Sequence, residues 1–96
     1  MISEQSELNH WVVYILKCKN EILYTGITDN LDRRYKEHLS GKGGWFTKCN
    51  PPISLIYSEK VASKNAALSR EKQIKGWTKA KKLALAQKDF AALKKL

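Results

Sequence analysis

Residues 11–39 read WVVYILKCKNEILYTGITDNLDRRYKEHL, and the way this stretch folds decides the rest. WVVYILKC (11–18) is rich in β-branched and aromatic residues, and EILYTGI (21–27) follows after a short polar KNE, a pattern that predicts an antiparallel hairpin. Side chains on a strand alternate between faces, so the length of the connection sets which residues share a face. With an odd loop of Lys19, Asn20 and Glu21, Tyr14, Tyr24 and Gly26 lie on one face and Gly26 falls opposite or near Tyr14. An even loop separates the two tyrosines, and the hairpin residues do not exclude it. A glycine inside a strand leaves room beside the aromatic ring for the close approach of a ligand or of another chain segment.

Asp29 or Asn30 is a natural N-cap for a helix that runs to about Leu39 and is ended by the glycines from Gly41. Leu31, Tyr35 and Leu39 form its apolar stripe. At about 100° per residue, Arg34 and His38 fall on one line at the rim of that stripe, whereas Arg33 and Glu37 point nearly away from it. The helical phase therefore assigns Arg34 and His38 to the edge of the buried face and Arg33 to solvent.

SGKGGWFTKCNPP (40–52) reads as a loop, and ISLIYSEK (53–60) as a third strand whose start is fixed by Pro51 and Pro52. A second helix is expected over about Ser63 to Lys75, capped by Ser63 and stopped by Gly76. A third begins after Thr78 and runs through KAKKLALAQK, and DFAALKKL gives a short terminal helix or turn. The order β-β-α-β-α-α predicts an α+β fold, a small three-stranded antiparallel sheet flanked by helices. One domain is expected over 1–96, with a core of about 11–88, a polar N-terminal tail and a short basic C-terminal helix.

The formal net charge is +9, from 18 Lys and Arg against 9 Asp and Glu, the electrostatic footprint of a nucleic-acid or acidic-membrane partner. No apolar run approaches the roughly 18 residues of a membrane span, and MISEQSELNH (1–10) is too polar and acidic for a signal peptide. A soluble, cytoplasmic protein with no membrane association is expected. Cys18 and Cys49 show neither a CxxC pair nor a disulfide spacing, as suits a reducing compartment. Together with His10 and His38 they compose a zinc site on paper, but their lack of clustering favours ordinary structural roles.

In the second helix Ala67, Leu68 and Ile74 fill one arc, and Glu71 lies at its centre. An unpaired carboxylate is costly to bury, so Glu71 is expected to meet a metal ion, a hydrogen-bond donor or a cation. An i,i+4 pair with Lys75 would satisfy it with no function at all.

Tyr14, Tyr24, Gly26, Arg34, His38 and Glu71 are the residues left without a comfortable structural role, and their order and spacing resemble the GIY-YIG nuclease family. VVY (12–14) stands where the family's first triplet stands and YTG (24–26) where its second does. Arg34 follows at the family's usual distance with His38 one turn later, Glu71 matches the metal-binding glutamate, and AALSREKQIKGW (66–77) is similar to the small stand-alone bacterial branch. The family's late asparagine has no counterpart, since no Asn follows Glu71.

The resemblance implies hydrolysis of a DNA phosphodiester with one Mg²⁺ or Mn²⁺ ion. Glu71 would hold the metal and Arg34 would clamp a non-bridging phosphate oxygen. Tyr14 or Tyr24 would orient or deprotonate the attacking water, its ionisation favoured by positive charge from Arg34 and His38. Gly26 would leave room for the phosphate. Lys42, Trp45, Phe46 and Lys48 fit a nucleic-acid groove, with cations for phosphates and rings for stacking; the two rings would equally well pin the loop to the core. The lysines from Lys79 to Lys82, with Lys88, Lys94 and Lys95, either widen the basic surface or form a solvated helix face. The expected activity is a metal-dependent DNA endonuclease or exonuclease that selects DNA by shape or through a protein partner, or cuts without selection. The alternatives are a nucleic-acid-binding module of the same fold with weak or no catalysis, and a purely structural or interaction domain.

Overall fold

The computed structural model describes residues 10–96, so the polar tail expected before His10 lies outside the described residues. Strands β1 (Trp11–Cys18) and β2 (Leu23–Thr28) form the hairpin, and they are joined by a single tight turn over Lys19–Glu21. Asn20 and Glu21 adopt positive φ there (65° and 57°), a conformation that Asn tolerates better than most residues. The odd-length turn puts Tyr14 opposite Gly26 and Leu16 opposite Tyr24, so both tyrosines and the glycine share one face. Strand β3 (Pro52–Val61) pairs antiparallel with the free side of β1, giving the order β2-β1-β3.

Helix α1 (Leu31–Leu39) starts where the Asn30 side chain accepts from the Arg33 N–H at 3.0 Å. It ends where Gly41, at φ 82°, turns the chain back so that Lys42 N–H reaches the Glu37 carbonyl at 2.8 Å. That left-handed residue is the helix stop expected of glycine. The stretch expected to be a plain loop contains a short helix, α2 (Trp45–Cys49). Turn-rich composition around it, with three glycines before and two prolines after, conceals a five-residue helix that tertiary packing supports. Helices α3 (Lys64–Lys75), α4 (Lys79–Ala86) and α5 (Phe90–Lys95) are capped by Ser63, Thr78 and Asp89 respectively.

The sheet separates two apolar clusters. On one face Val13 and Ile15 pack with Ala67 and Ile74 of α3 and Leu85 of α4. On the other, Tyr14, Leu16 and Cys18 pack with Leu31 and Tyr35 of α1. Two expected core residues are not in either cluster: Leu39 is 55% exposed and Leu68 43% exposed. Leu39 is the last residue of its helix, and the chain that follows covers the neighbouring line of the helix instead, where His38 is fully buried. The α+β class and the three antiparallel strands are as the sequence predicts, and α2 is the helix added to the predicted order.

Candidate active site

The face carrying Tyr14 and Tyr24 is packed by polar and aromatic groups. Tyr14 Oη lies 2.7 Å from His38 Nε2, and His38 Nδ1 lies 2.7 Å from Thr47 Oγ1. All three side chains are buried. Two hydrogen patterns satisfy this chain. Either Tyr14 donates to Nε2 while Nδ1–H donates to Thr47, or Thr47 donates to Nδ1 while Nε2–H donates to the Tyr14 oxygen. The two differ by proton shifts along the line, so the arrangement is a relay from a phenol to a hydroxyl through an imidazole.

Burial, aided by the Arg34 charge, holds the His38 imidazole below its ordinary value of 6.5. The expected placement of His38 at the rim as a cation is therefore corrected: it is a neutral, enclosed ring. Burial likewise dominates at Tyr14, and with a further push from the Tyr24 charge raises its phenol to about 12. A hydrogen bond and the positive charge from Arg34 pull in the opposite direction without prevailing, and the nearby Glu71 charge adds a smaller push upward. Arg34 is thus the one cation of the expected pair that favours the phenolate.

Gly26 is required here for a reason different from the one its sequence context suggests. A Cβ on it would meet Tyr14 Oη at 2.6 Å and Tyr24 Cε2 at 3.0 Å, so the space that was expected to admit a phosphate holds the Tyr14 phenol. Tyr24 stands beside it, 5.2 Å from the His38 ring and 6.3 Å from the Tyr14 ring.

Arg34 extends from α1 with 31% of its side chain open. One guanidinium nitrogen donates to the Gly43 carbonyl at 2.8 Å, and the other to Glu37 at 3.1 Å. Five donors against these partners and Tyr14 leave the fork able to take a further acceptor. Arg33 behaves as its helical phase requires and pairs outward with Asp29 at 2.9 Å.

The segment from Gly43 to Thr47 closes over this group. A Cβ at Gly43 would run into the His38 ring, Thr47 holds Nδ1, and Phe46 stacks on Tyr24 with centroids 5.5 Å apart and planes 28° from parallel. Phe46 is therefore the ring that pins the loop. Trp45 points out, at 78% exposed, and Lys42 and Lys48 are exposed with it. Thr47 and Gly43 were not singled out by sequence, since nothing in GKGGWFTK distinguishes one small residue from another before the packing is known.

Glu71 has 18% of its side chain exposed and pairs with Lys75 at 3.2 Å, the functionless pairing that the sequence offers. Such an i,i+4 pair, with Lys75 itself 54% exposed, contributes only about 0.3–0.5 kcal/mol and yields readily to a competitor. Its helix is fixed to the sheet by the preceding residue: Arg70 Nε binds both oxygens of Glu59 on β3 at 3.0 and 3.2 Å, and Tyr57 donates to the same carboxylate at 2.6 Å. Trp77 lies under Arg70 at 5.3 Å.

No group of three or more His, Cys, Asp or Glu side chains that would hold a metal is found among the described residues. The paper zinc site is accordingly dispersed, with Cys18 buried in the sheet and Cys49 exposed. A single carboxylate fits a different ion: Mg²⁺ keeps several waters and commonly takes one or two carboxylates plus substrate phosphates. Glu71 fits that donor set.

The sequence model of the GIY-YIG catalytic domain matches residues 10–84, which include all of these groups. The chain belongs to the GIY-YIG family. It is 46% identical over 70 residues to a UPF0213 protein of the archaeon Natronomonas pharaonis, covering 73% of this chain and 82% of that one. A UPF0213 protein of Clostridium perfringens is 49% identical over 73 residues, with coverage of 76% and 78%. The solution NMR structure of a UPF0213 protein from Bacillus halodurans has the same fold, with a TM-score of 0.52 and 38% identity over 81% of this chain and 83% of that one. Membership in the GIY-YIG family makes this a chain of a nuclease superfamily. No helix among the described residues is long and apolar enough to cross a membrane.

Proposed function

We propose that this GIY-YIG protein is a Mg²⁺- or Mn²⁺-dependent nuclease that hydrolyses DNA phosphodiester bonds, with Tyr14, Tyr24, Arg34, His38 and Glu71 as its working residues. The observation that carries the reading is the 2.7 Å contact between Tyr14 Oη and His38 Nε2. Of the two tyrosines proposed to handle the attacking water, Tyr14 is the one whose own proton has a neutral imidazole to go to. A phenol near 12 is a poor base at neutral pH, so the free protein holds Tyr14 protonated and needs added positive charge to ionise it. Arg34 supplies part of that charge and offers its open donors to a non-bridging phosphate oxygen. A divalent ion held by Glu71 would polarise the phosphate and stabilise the leaving 3′ oxygen. Tyr24 lines the approach beside Tyr14, and Gly26 leaves the space that the Tyr14 phenol and the edge of the Tyr24 ring occupy. Lys42 and Lys48, at the rim with Trp45, give the DNA backbone its cationic contacts, while Phe46 keeps Tyr24 in place. A single domain spanning the chain, acting in the cytoplasm and directed by DNA shape or a protein partner, completes this reading.

The test is incubation with plasmid and with end-labelled branched, nicked and single-stranded DNA, in Mg²⁺, in Mn²⁺ and in EDTA. Cutting should require metal, and Glu71→Gln and Arg34→Ala should abolish it while salt-sensitive binding survives. Binding without cutting under every condition would instead support the binding module, which the solitary carboxylate and the missing late asparagine favour.

A further inference from the structure

Three tryptophans lie within the described residues, and two of them are covered. Lys64 sits over Trp11 at 5.6 Å, and Arg70 and Lys81 sit over Trp77 at 5.3 and 4.6 Å. Trp45 alone is 78% exposed, and among the described residues no ring stacks on it and no cation lies over it. An uncovered indole offers a flat apolar face on which a partner ring can stack.

Its surroundings say which partner. Trp45 directly precedes Phe46, which stacks on Tyr24, so the bare indole stands one residue away from the site. Lys42 and Lys48 flank it and enter no ion pair among the described residues, within a chain of net charge +9. Lysines beside an exposed aromatic are how proteins hold single strands, the cations following phosphates and the ring taking a base face. A paired base in B-form duplex offers the grooves only its edges, because both its faces are already stacked.

We infer that this site takes DNA that is unpaired next to the cut, with a displaced base stacked on Trp45 and the neighbouring phosphates held by Lys42 and Lys48. The inference rests on the nuclease reading and narrows it to single strands, flaps and frayed ends rather than continuous duplex. Anchoring of α2 through Phe46 and Thr47 makes the platform rigid with respect to Tyr24 and His38, so a base held by Trp45 fixes the strand's register at the site.

The test measures binding in EDTA, where nothing is cut, to three DNAs of matched sequence: a single strand, a flap and a fully paired duplex. Each carries 2-aminopurine at successive positions, and stacking on Trp45 quenches its fluorescence. Trp45→Ala should weaken single-strand and flap binding about 5- to 150-fold, abolish the quench, and change duplex binding less than about 2-fold. Trp45→Phe should restore most of both, and an unchanged melting temperature in Trp45→Ala would verify that the fold is retained. Equal losses on all three DNAs, or none, would overturn the inference. The two readings fail separately: a Trp45-dependent quench without cutting in Mg²⁺ sinks the nuclease and keeps the stack, and metal-dependent cutting indifferent to Trp45 does the reverse.

Discussion

The two faces of one strand do different work. On β1, Val13 and Ile15 face helices α3 and α4 in an apolar cluster, and Tyr14, one residue along, faces a histidine, a second tyrosine and the Arg34 guanidinium. Both faces are dry, with Val13 and Ile15 at 0% and Tyr14 at 1% exposure. What distinguishes them is the kind of group that burial encloses. The packing face buries mostly apolar area, whereas the chemical face has two titratable rings driven to their neutral forms and locked in one hydrogen-bonded line. Burial without polar groups stabilises, and burial with them prepares a reaction.

Changes on the two faces should therefore be read by different instruments. Tyr14→Phe removes one oxygen from the chemical face and should lower the cleavage rate about 10²- to 10⁴-fold, measured as initial rate on labelled DNA in Mg²⁺, while far-UV circular dichroism stays native. If the rate holds, Tyr14 is not the proton acceptor and Tyr24 takes its place. Ile15→Ala, its neighbour in sequence, should cost about 2–5 kcal/mol of stability by denaturant titration. The residual folded enzyme should retain its rate per folded molecule, and a large loss there would mean that the faces are mechanically coupled.

Titration reaches both faces. Tyr14 is raised from 10.0 to about 12, so the folded chain keeps this proton at pH values where the unfolded chain has released it. Its contribution is complete below pH 10 and disappears as pH climbs toward 12, a change on the order of 2–3 kcal/mol at 1.36 kcal/mol per unit. Tyr57, on the packing face, is raised to about 12 as well, by burial and by its bond to Glu59. Alkaline denaturation of the Tyr14→Phe variant should consequently be shallower than that of the natural chain but not flat. His38 works with the opposite sign: its value is depressed below 6.5, so its contribution stands above pH 6.5 and is lost as pH falls below it. A Tyr14→Phe profile superimposable on the wild-type one above pH 10 would contradict the burial of that phenol.

Gly26→Ala brings the two kinds of effect together at one atom. The added methyl lands 2.6 Å from Tyr14 Oη and 3.0 Å from the Tyr24 ring, and two packed rings yield only by leaving their rotamers, at about 1–3 kcal/mol. Displacing Tyr14 should also break its bond to His38. Activity should then fall by more than the stability loss accounts for, which rate per folded molecule would show.

These differences explain how far the sequence could be read. The hairpin residues leave odd and even turns open and the structure takes the odd one, whereas capping residues place α1, α3 and α4, because capping is a local rule. Helical phase separated Arg34 from Arg33 for the same reason. His38 was placed on the correct line but at the wrong depth, since its burial comes from residues 43–47, where no periodicity marks which small residue packs on a ring. Thr47 and Gly43 acquire their roles only from that contact. Glu71 was legible as a carboxylate among apolar neighbours, but Glu59 and Arg70, which fix its helix to β3, are recognisable as partners only once strand and helix meet.

The smallest change tests whether the packing face has any chemistry of its own. Thr25 on β2 lies opposite Ile15 and so shares its face, and its hydroxyl is buried without a hydrogen-bond partner among the described residues. An unmatched hydroxyl loses its water on folding and gains nothing in return, so replacing it with a methyl removes a cost. Thr25→Val should accordingly be neutral or stabilising by about 1 kcal/mol and leave cleavage unchanged, read by the denaturation midpoint and the initial rate. One buried oxygen is then removed from each face, from Thr25 at a small gain and from Tyr14 at the loss of the reaction. A destabilised or inactive Thr25→Val would mean that its hydroxyl meets a bound water or ligand.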